Sequence, residues 1–554
     1  MPSLSRSSRK RRIFAIPASF VAAAVALSGC SNLGPTTEST SPAGDTTVVE
    51  VVPSLSVQMS YDTSYAITTT YYSTFNMLYA GLIRKVYDEG EQANTLTQNQ
   101  YEFEGVLAES YDVSDDGLTY TFKLREGVMS ENGNELTADD VVWSFQRKFG
   151  ATTSILPYIG KPGLVSADQF TAVDDYTVQL TVAKAAYGFT VLSILAGASG
   201  AIYDADFLKE NVAADDEWAT TFTSGRYDFG YGPYRVESVD AASEMVFVAN
   251  EDYALGEPEI SKVIQRVVPD AGNRAQAIKS GDADIALGLT PNDQADLVDD
   301  SSLLVPSKPR NGYLMLSLNT TAEPFSDVAV RQAFATAIDY DSIIDGVYQG
   351  RAQKNNTMLP SDAPGYDGDD LPDWEYDPEA SKDALASAGY TDPIAVTLSV
   401  NSEDQTLVDS AVAITSAAAD AGFDVTVESV PATQLQEKAG SGQTQLVLSK
   451  SESVTLSPPY MLGLLTTPGS SSNYARWSDQ TFQDLVTAGS EFSDPLSEEA
   501  GVAWNAAEAY WLGEQVPNIF IGQVFEDSAV TADLEGWTWR TDHAVDVSVM
   551  SSAN

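Results

Sequence analysis

Residues 118–127, LTYTFKLREG, alternate: Leu118, Tyr120, Phe122 and Leu124 fall on one face, and Thr119, Thr121, Lys123 and Arg125 on the other. A period of two is that of a strand with one buried face. YTVQLTV (176–182) repeats the pattern with Tyr176, Val178, Leu180 and Val182, and EMVFVAN (244–250) and VIQRVVPD (263–270) read as further strands. Helical signals lie between them. TADDVVWSFQRKF (137–149) opens on Thr137 with Asp140 three positions on, a capping-box variant. DAGNRAQAIKSG (270–281) closes on Gly281, and FSDVAVRQAFATAID (325–339) places Val330, Phe334, Ala337 and Ile338 on one face. YDPEASKDALASAGY (376–390) has Asp377 as N-cap, Pro378 at the first helical position and Gly389 just past the end. Strands and helices alternate along the whole length, which predicts an α/β protein with more than one sheet.

The first fifty residues follow another logic. Arg6, Arg9, Lys10, Arg11 and Arg12 precede an apolar run from Ile13 to Leu27, the layout of a secretory signal, and the run is shorter than a bilayer-spanning helix. It ends in Leu27-Ser28-Gly29-Cys30, which resembles the bacterial lipobox; an ordinary signal with a chance cysteine is the plainer alternative. Cys30 is the chain's single cysteine, so a thiol kept for acylation explains its position, and no disulfide can form within one chain. The expectation is a lipid-anchored exported protein, not a membrane-spanning one. Residues 31–48, SNLGPTTESTSPAGDTTV, read as a flexible tether reaching roughly 20–25 Å.

Charge narrows the partners. The formal net charge is −49, and removal of the five basic residues of the signal leaves −54. Such a surface repels nucleic acid and anionic lipid headgroups. Solubility or adaptation to salt is one reading of it, attraction of cationic cargo the other. The lone histidine, His543, excludes a multi-histidine metal site, and no nucleophile elbow, phosphate-binding loop or dinucleotide fingerprint is present. Carboxylate-pair hydrolysis stays open, because 79 acidic residues always offer pairs.

Seven stretches, in order, resemble the extracellular solute-binding proteins of family 5. They are residues 105–149, GYGPYRVESV (230–239), NEDYALGEPEI (250–260), RAQAIKSGDADIALGL (274–289), residues 324–353, the helix at 376–390 and SSNYARWSDQTFQDLV (471–486). Most have structural readings: Gly232 and Pro233 set a turn, and Arg331 anchors its helix by an ion pair. The resemblance implies a two-lobe α/β fold of the Venus-flytrap kind with an extra subdomain on the first lobe. Mapped here, residues 1–29 are the signal, 30–48 the lipidated cysteine and tether, 49–85, 220–305 and 525–554 lobe I, 86–219 the inserted subdomain and 306–524 lobe II. It implies a monomeric, non-enzymatic receptor that closes on a peptide or other small solute and delivers it to ABC permease subunits, needing no cofactor or metal. It would work on the outer face of the cytoplasmic membrane, held there through Cys30.

In the family's peptide binders, an Asp in a W-x-x-D loop holds the cargo's α-ammonium. The matching stretch is LSKSESVTLSPPYML (448–462), in which the Trp and Asp are missing and Ser453, Val454 and Thr455 stand near the expected acid. Two readings remain. Either Glu452 takes over through a shifted loop, with Lys450 facing a carboxylate, or the cargo lacks an ammonium and is bound through hydroxyls. By position, Tyr61, Asp62, Thr63, Tyr158, Asn473 and Tyr474 join Lys450, Glu452 and Ser453 as candidate contacts. Competing functions are a receptor for a metal chelate, oligosaccharide or small metabolite, a signalling receptor, and an exported carboxylate-pair hydrolase.

Overall fold

The computed structural model describes residues 46–55, 69–151, 154–359, 367–368 and 371–553. Cys30, the signal, the tether as far as residue 45, and Tyr61, Asp62 and Thr63 lie outside the described residues; Thr47 and Val48, expected at the tether's end, belong to strand Thr47–Val52 instead.

Two large sheets organise the body. The first has seven strands, in the order Leu303–Leu304, Ala529–Thr531, Ile285–Ala286, Thr47–Val52, Lys262–Val267, Glu244–Ala249 and Tyr234–Asp240. The second has six, in the order Ala352–Lys354, Asn518–Val524, Gly312–Leu318, Leu446–Glu452, Ile394–Asn401 and Phe423–Val430. Both are mixed: Thr47–Val52 runs parallel to Lys262–Val267, which runs antiparallel to Glu244–Ala249. Ile394–Asn401 runs parallel to both its neighbours, whereas Gly312–Leu318 is antiparallel to Leu446–Glu452.

Every residue of Gly312–Leu318 is buried. Its even positions, Leu314, Leu316 and Leu318, pack into one core with Ile414 and Ala418 of helix Gln405–Asp420, while Tyr313 and Met315 enter a second core around Trp504 and Trp511. A strand covered on both faces has no polar positions to alternate with, which is why the run GYLMLSL carries no period.

A four-stranded antiparallel sheet, in the order Ala108–Val113, Thr119–Leu124, Thr177–Thr181 and Phe170–Asp174, forms a third body with helix Ala138–Gly150. Tyr120, Phe122 and Leu124 are buried as their alternation predicts, and Phe145 stacks on Phe170 at 3.8 Å between ring centroids. The predicted caps form: the Thr137 amide donates to Asp140 Oδ2 (2.7 Å), the Asp377 carboxylate accepts from the Ala380 amide (2.9 Å), and Gly281 adopts φ 78° after helix Ala271–Ser280. In GYGPY the constraint is proximity, since a Cβ on Gly232 would lie 2.3 Å from the Leu78 carbonyl carbon. Arg331 is buried as an anchor, but by carbonyls in place of an ion pair: it donates to Phe325 O (2.7 Å) and Gln515 O (2.8 Å).

Two segments join the large sheets: residues 305–311 lead from Leu303–Leu304 into Gly312–Leu318, and residues 525–528 lead from Asn518–Val524 into Ala529–Thr531. They run side by side, bridged at Pro309 and Phe525, and the Arg310 amide donates to Val524 O (2.7 Å). A three-stranded sheet of Ile83–Glu89, Thr95–Gly105 and Trp537–Trp539 flanks this crossing. Among the described residues no helix is long and apolar enough to cross a membrane.

Candidate functional site

A cleft of about 880 Å³ opens beside this crossing. One wall carries Tyr71 and Tyr72 of helix Thr69–Leu78, residues 154–165 and residues 193–199; the other carries Glu452, Ser453, Val454, helix Pro458–Leu464 and residues 466–472. The walls touch each other. The Thr190 and Ser457 hydroxyls meet at 2.6 Å, and Lys184 pairs with Glu491 at 2.9 Å. Volume and enclosure suit a small organic ligand.

The cleft does not share the acidity of the chain. Its lining holds two carboxylates, Glu452 and Asp542, against four lysines, Lys85, Lys148, Lys161 and Lys184. Most of those lysines are engaged by protein groups. Lys148 donates to the carbonyls of Ser199 and Ala201, and Lys85 donates to Gln100 Oε1 (2.6 Å) and Thr541 Oγ1 (2.5 Å). Burial pulls the Lys85 ammonium down to about 7, against the attraction of Asp542. Burial pushes the Asp542 carboxyl up, but the Arg540 guanidinium, bound at 2.8 and 2.9 Å, outweighs it and holds the acid well below its ordinary range. Burial, then the Glu452 and Asp542 carboxylates, push the Tyr72 phenol well up, so it is a neutral hydroxyl facing two acids.

Glu452 is the last residue of strand Leu446–Glu452, paired with Gly312. Its side chain is 28 % exposed and faces two basic groups, Arg310 Nη2 of the crossing at 3.9 Å and His543 Nε2 of the C-terminal segment at 3.6 Å. Arg310 also approaches Glu526 (3.6 Å) and Asp527 (3.3 Å), and His543 Nδ1 lies 3.2 Å from Glu526 Oε1. Tyr72 and Tyr460 line the cleft with Glu452 and Asp542. The arrangement offers an anionic, aromatic-walled end able to hold a cationic group.

The remaining sequence candidates have separate places. Ser453 lines the cleft but is buried, its hydroxyl donating to Thr455 O (2.5 Å) and its carbonyl accepting from Asn311. Tyr158, 65 % exposed, and Tyr474 line the cleft. Asn473 closes a turn through the Trp477 carbonyl (2.9 Å) and amide (3.2 Å) and is not part of the lining. Lys450 shares a strand face with Glu452, but there the N-terminus of helix Gln405–Asp420 covers it: Nζ binds Asp404 Oδ2 at 2.7 Å and Thr406 Oγ1 at 3.2 Å. It does not line the cleft. Sequence reasoning missed Tyr72, Lys85, Arg310, Glu526 and Asp542; only the singularity of His543 marked its segment. Among the described residues no group of three or more His, Cys, Asp or Glu is placed to hold a metal ion.

Two sheets joined by a double crossing, with a cleft beside it, define a two-lobe binding protein. The sequence model for bacterial extracellular solute-binding proteins, family 5 (Middle), matches residues 102–473, and the chain belongs to that family. It is 31% identical over 329 residues to heme-binding protein A of Haemophilus influenzae, covering 54% of this chain and 58% of that protein. It is 28% identical over 409 residues to the dipeptide-binding protein of Escherichia coli K12, covering 69% and 74%. The chain thus spans a little over half the length of the first of these relatives. The fold matches NikA of Brucella suis in complex with Fe(III)-EDTA (TM-score 0.77, 18% identity, 92% of this chain and 100% of that one). It also matches the dipeptide-binding protein of Pseudoalteromonas sp. SM9913 in complex with Met-Leu (TM-score 0.75, 21% identity, 91% and 100%).

Proposed function

We propose that this chain is the substrate-binding receptor of an ABC importer, anchored outside the cytoplasmic membrane through Cys30, and that its cargo is short peptides. The lobes close on the peptide, and the closed form is the one presented to the permease. In this reading residues 49–85, 220–305 and 525–554 form lobe I, 86–219 the inserted subdomain and 306–524 lobe II. No covalent chemistry is involved.

The observation that carries the peptide assignment is Glu452, a half-buried carboxylate at the crossing end of the cleft, which it lines together with Tyr72 and Tyr460. A buried ammonium is costly without an anionic partner, and Glu452 supplies one where Ser453 and Thr455 cannot, both being turned into their own loop. Peptide-binding relatives support the same reading. Native mass spectrometry of the chain from residue 31, purified gently from its own host and then denatured, tests it. A mixture of short peptides is expected; one defined non-peptide mass would overturn the peptide assignment. For the anchor, Cys30→Ala is expected to release the protein from membranes in a fractionation assay, and full retention would contradict it.

A further inference from the structure

The only histidine of the chain is buried where the lobes join, 4 % exposed, and its Nε2 makes no hydrogen bond among the described residues. That nitrogen points at the cleft carboxylate, Glu452 Oε2, 3.6 Å away, and the ring is anchored from its other side by Glu526. His543 itself sits at φ 60°, a left-handed conformation that a non-glycine residue keeps only when its surroundings impose it. Resting on the peptide reading, we propose that His543 is a positioning residue for Glu452, competing with the cargo's cationic group for the same carboxylate, so that capture of that group releases a proton from His543 to solvent.

The charges around the ring give the direction. From the crossing come Arg310, Glu526 and, through Arg310, Asp527; from lobe II comes Glu452. On the histidine's own segment Arg540 is committed to Asp542 and Asp546. The neighbouring strand brings Lys85, bound to Thr541, and helix Thr69–Leu78 brings Tyr72, a neutral hydroxyl. Glu452, Glu526 and Asp527 therefore outnumber the one permanent cation, Arg310, and of the three only Glu452 lines the cleft. Burial and Arg310 both pull the imidazole down, but Glu452 and Glu526 prevail and raise it above 6.5. In the empty receptor protonated His543 meets Glu452. An ammonium arriving at Glu452 takes up that carboxylate and leaves the imidazolium with only Glu526 of the two that raise it, against burial and Arg310, which lower it. Affinity for cationic cargo then rises with pH across the window in which empty His543 is protonated and occupied His543 is not. The limiting slope is about tenfold per pH unit for one proton released.

Because the chain has one histidine, its imidazole resonances belong to His543 without assignment. The test is NMR titration of the mature chain, ¹⁵N-labelled at histidine and carrying a histidine-free tag, as wild type and Glu452→Gln. It is repeated with trialanine and with N-acetyl-trialanine. The expected result is a wild-type midpoint above 6.5 that falls in Glu452→Gln and falls again when trialanine binds, but not when the acetylated peptide is added. A midpoint indifferent to Glu452→Gln would overturn the proposal whatever the cargo is. A midpoint that responds to Glu452→Gln in a protein that binds no peptide would leave the pairing standing and remove the peptide reading, and with it the exchange. Calorimetry in buffers of differing ionisation enthalpy completes the test. Trialanine binding to wild type should release up to one proton and strengthen with pH; His543→Gln should bind without proton release and with a flat pH profile. An unchanged pH slope in His543→Gln would overturn the exchange.

Discussion

Glu452 and Glu508 are both glutamates of the part of the chain built on the six-stranded sheet, and their surroundings differ sharply. Glu508, on helix Glu498–Ala509, is fully buried beside the Trp504 and Trp511 core. Its Oε1 accepts from the Thr357 hydroxyl (2.7 Å) and from the amides of Met358 (2.8 Å) and Leu359 (3.3 Å), and no cation pairs with it among the described residues. Burial outweighs those bonds and pushes its carboxyl up to about 7. Glu452 is partly open to the cleft and faces Arg310 and His543. A carboxylate with donors and no countercharge organises backbone; one with countercharges and an open side can exchange a partner. The difference lies in what surrounds each residue, and it separates a structural acid from the acid proposed to bind cargo.

The comparison breaks most forcefully at Glu508. Glu508→Ala leaves the buried Met358 amide without an acceptor, throws Thr357 and Leu359 back on each other, opens a cavity, and is expected to destabilise the protein by about 2–4 kcal/mol, read as a lower urea midpoint, with cargo affinity of the folded fraction unchanged. Glu452→Gln should do the reverse: a loss of at least about tenfold in affinity for a peptide with a free amino terminus, ~1.4 kcal/mol or more, with a smaller change in the urea midpoint than Glu508→Ala. If Glu508→Ala weakened binding and Glu452→Gln did not, the assignment of roles would be reversed.

Next is a pH effect. Folded Glu508 holds its proton up to about 7, whereas its unfolded reference is 4.5. Between those values the native state binds the extra proton, so this group's stabilising contribution is full below 4.5 and is lost as pH rises to 7. Glu508→Gln should flatten that part of the stability profile, measured by urea unfolding at several pH values. An unaltered slope would mean that Glu508 is ionised in the fold. The smallest effect belongs to Lys450→Ala, which removes a partly exposed pair with Asp404. It should cost less than about 1 kcal/mol and leave affinity untouched; a clear loss of binding would return Lys450 to the site.

Much of the fold could be read from local pattern. The alternation of Tyr120, Phe122 and Leu124 and the caps at Thr137, Asp377 and Gly281 are short-range signals, and the structure uses them as written. Strand Gly312–Leu318 left no such trace, because both its faces are covered. The site was less legible still. Lys450 and Glu452 look equivalent in KSE, and only Asp404, 46 positions away, decides that one is covered. Arg310, Glu452, Glu526 and His543 converge from four separate segments of chain, and no spacing rule connects them. The motif stretches pointed to the family because they build the frame, whereas the candidate site residues lie at the end of strand Leu446–Glu452 and on helices Thr69–Leu78 and Pro458–Leu464, where no family motif marks them.

The central claim is that Glu452 receives the amino group of a peptide held between the lobes. Its most direct test is a paired calorimetric titration of the mature protein with short peptides recovered from its own host, each compared with its N-acetylated form. The account predicts binding of the free peptides and at least about tenfold weaker binding of the acetylated ones, with the preference abolished in Glu452→Gln. Equal affinity for both forms, or a preference that survives in Glu452→Gln, would contradict it.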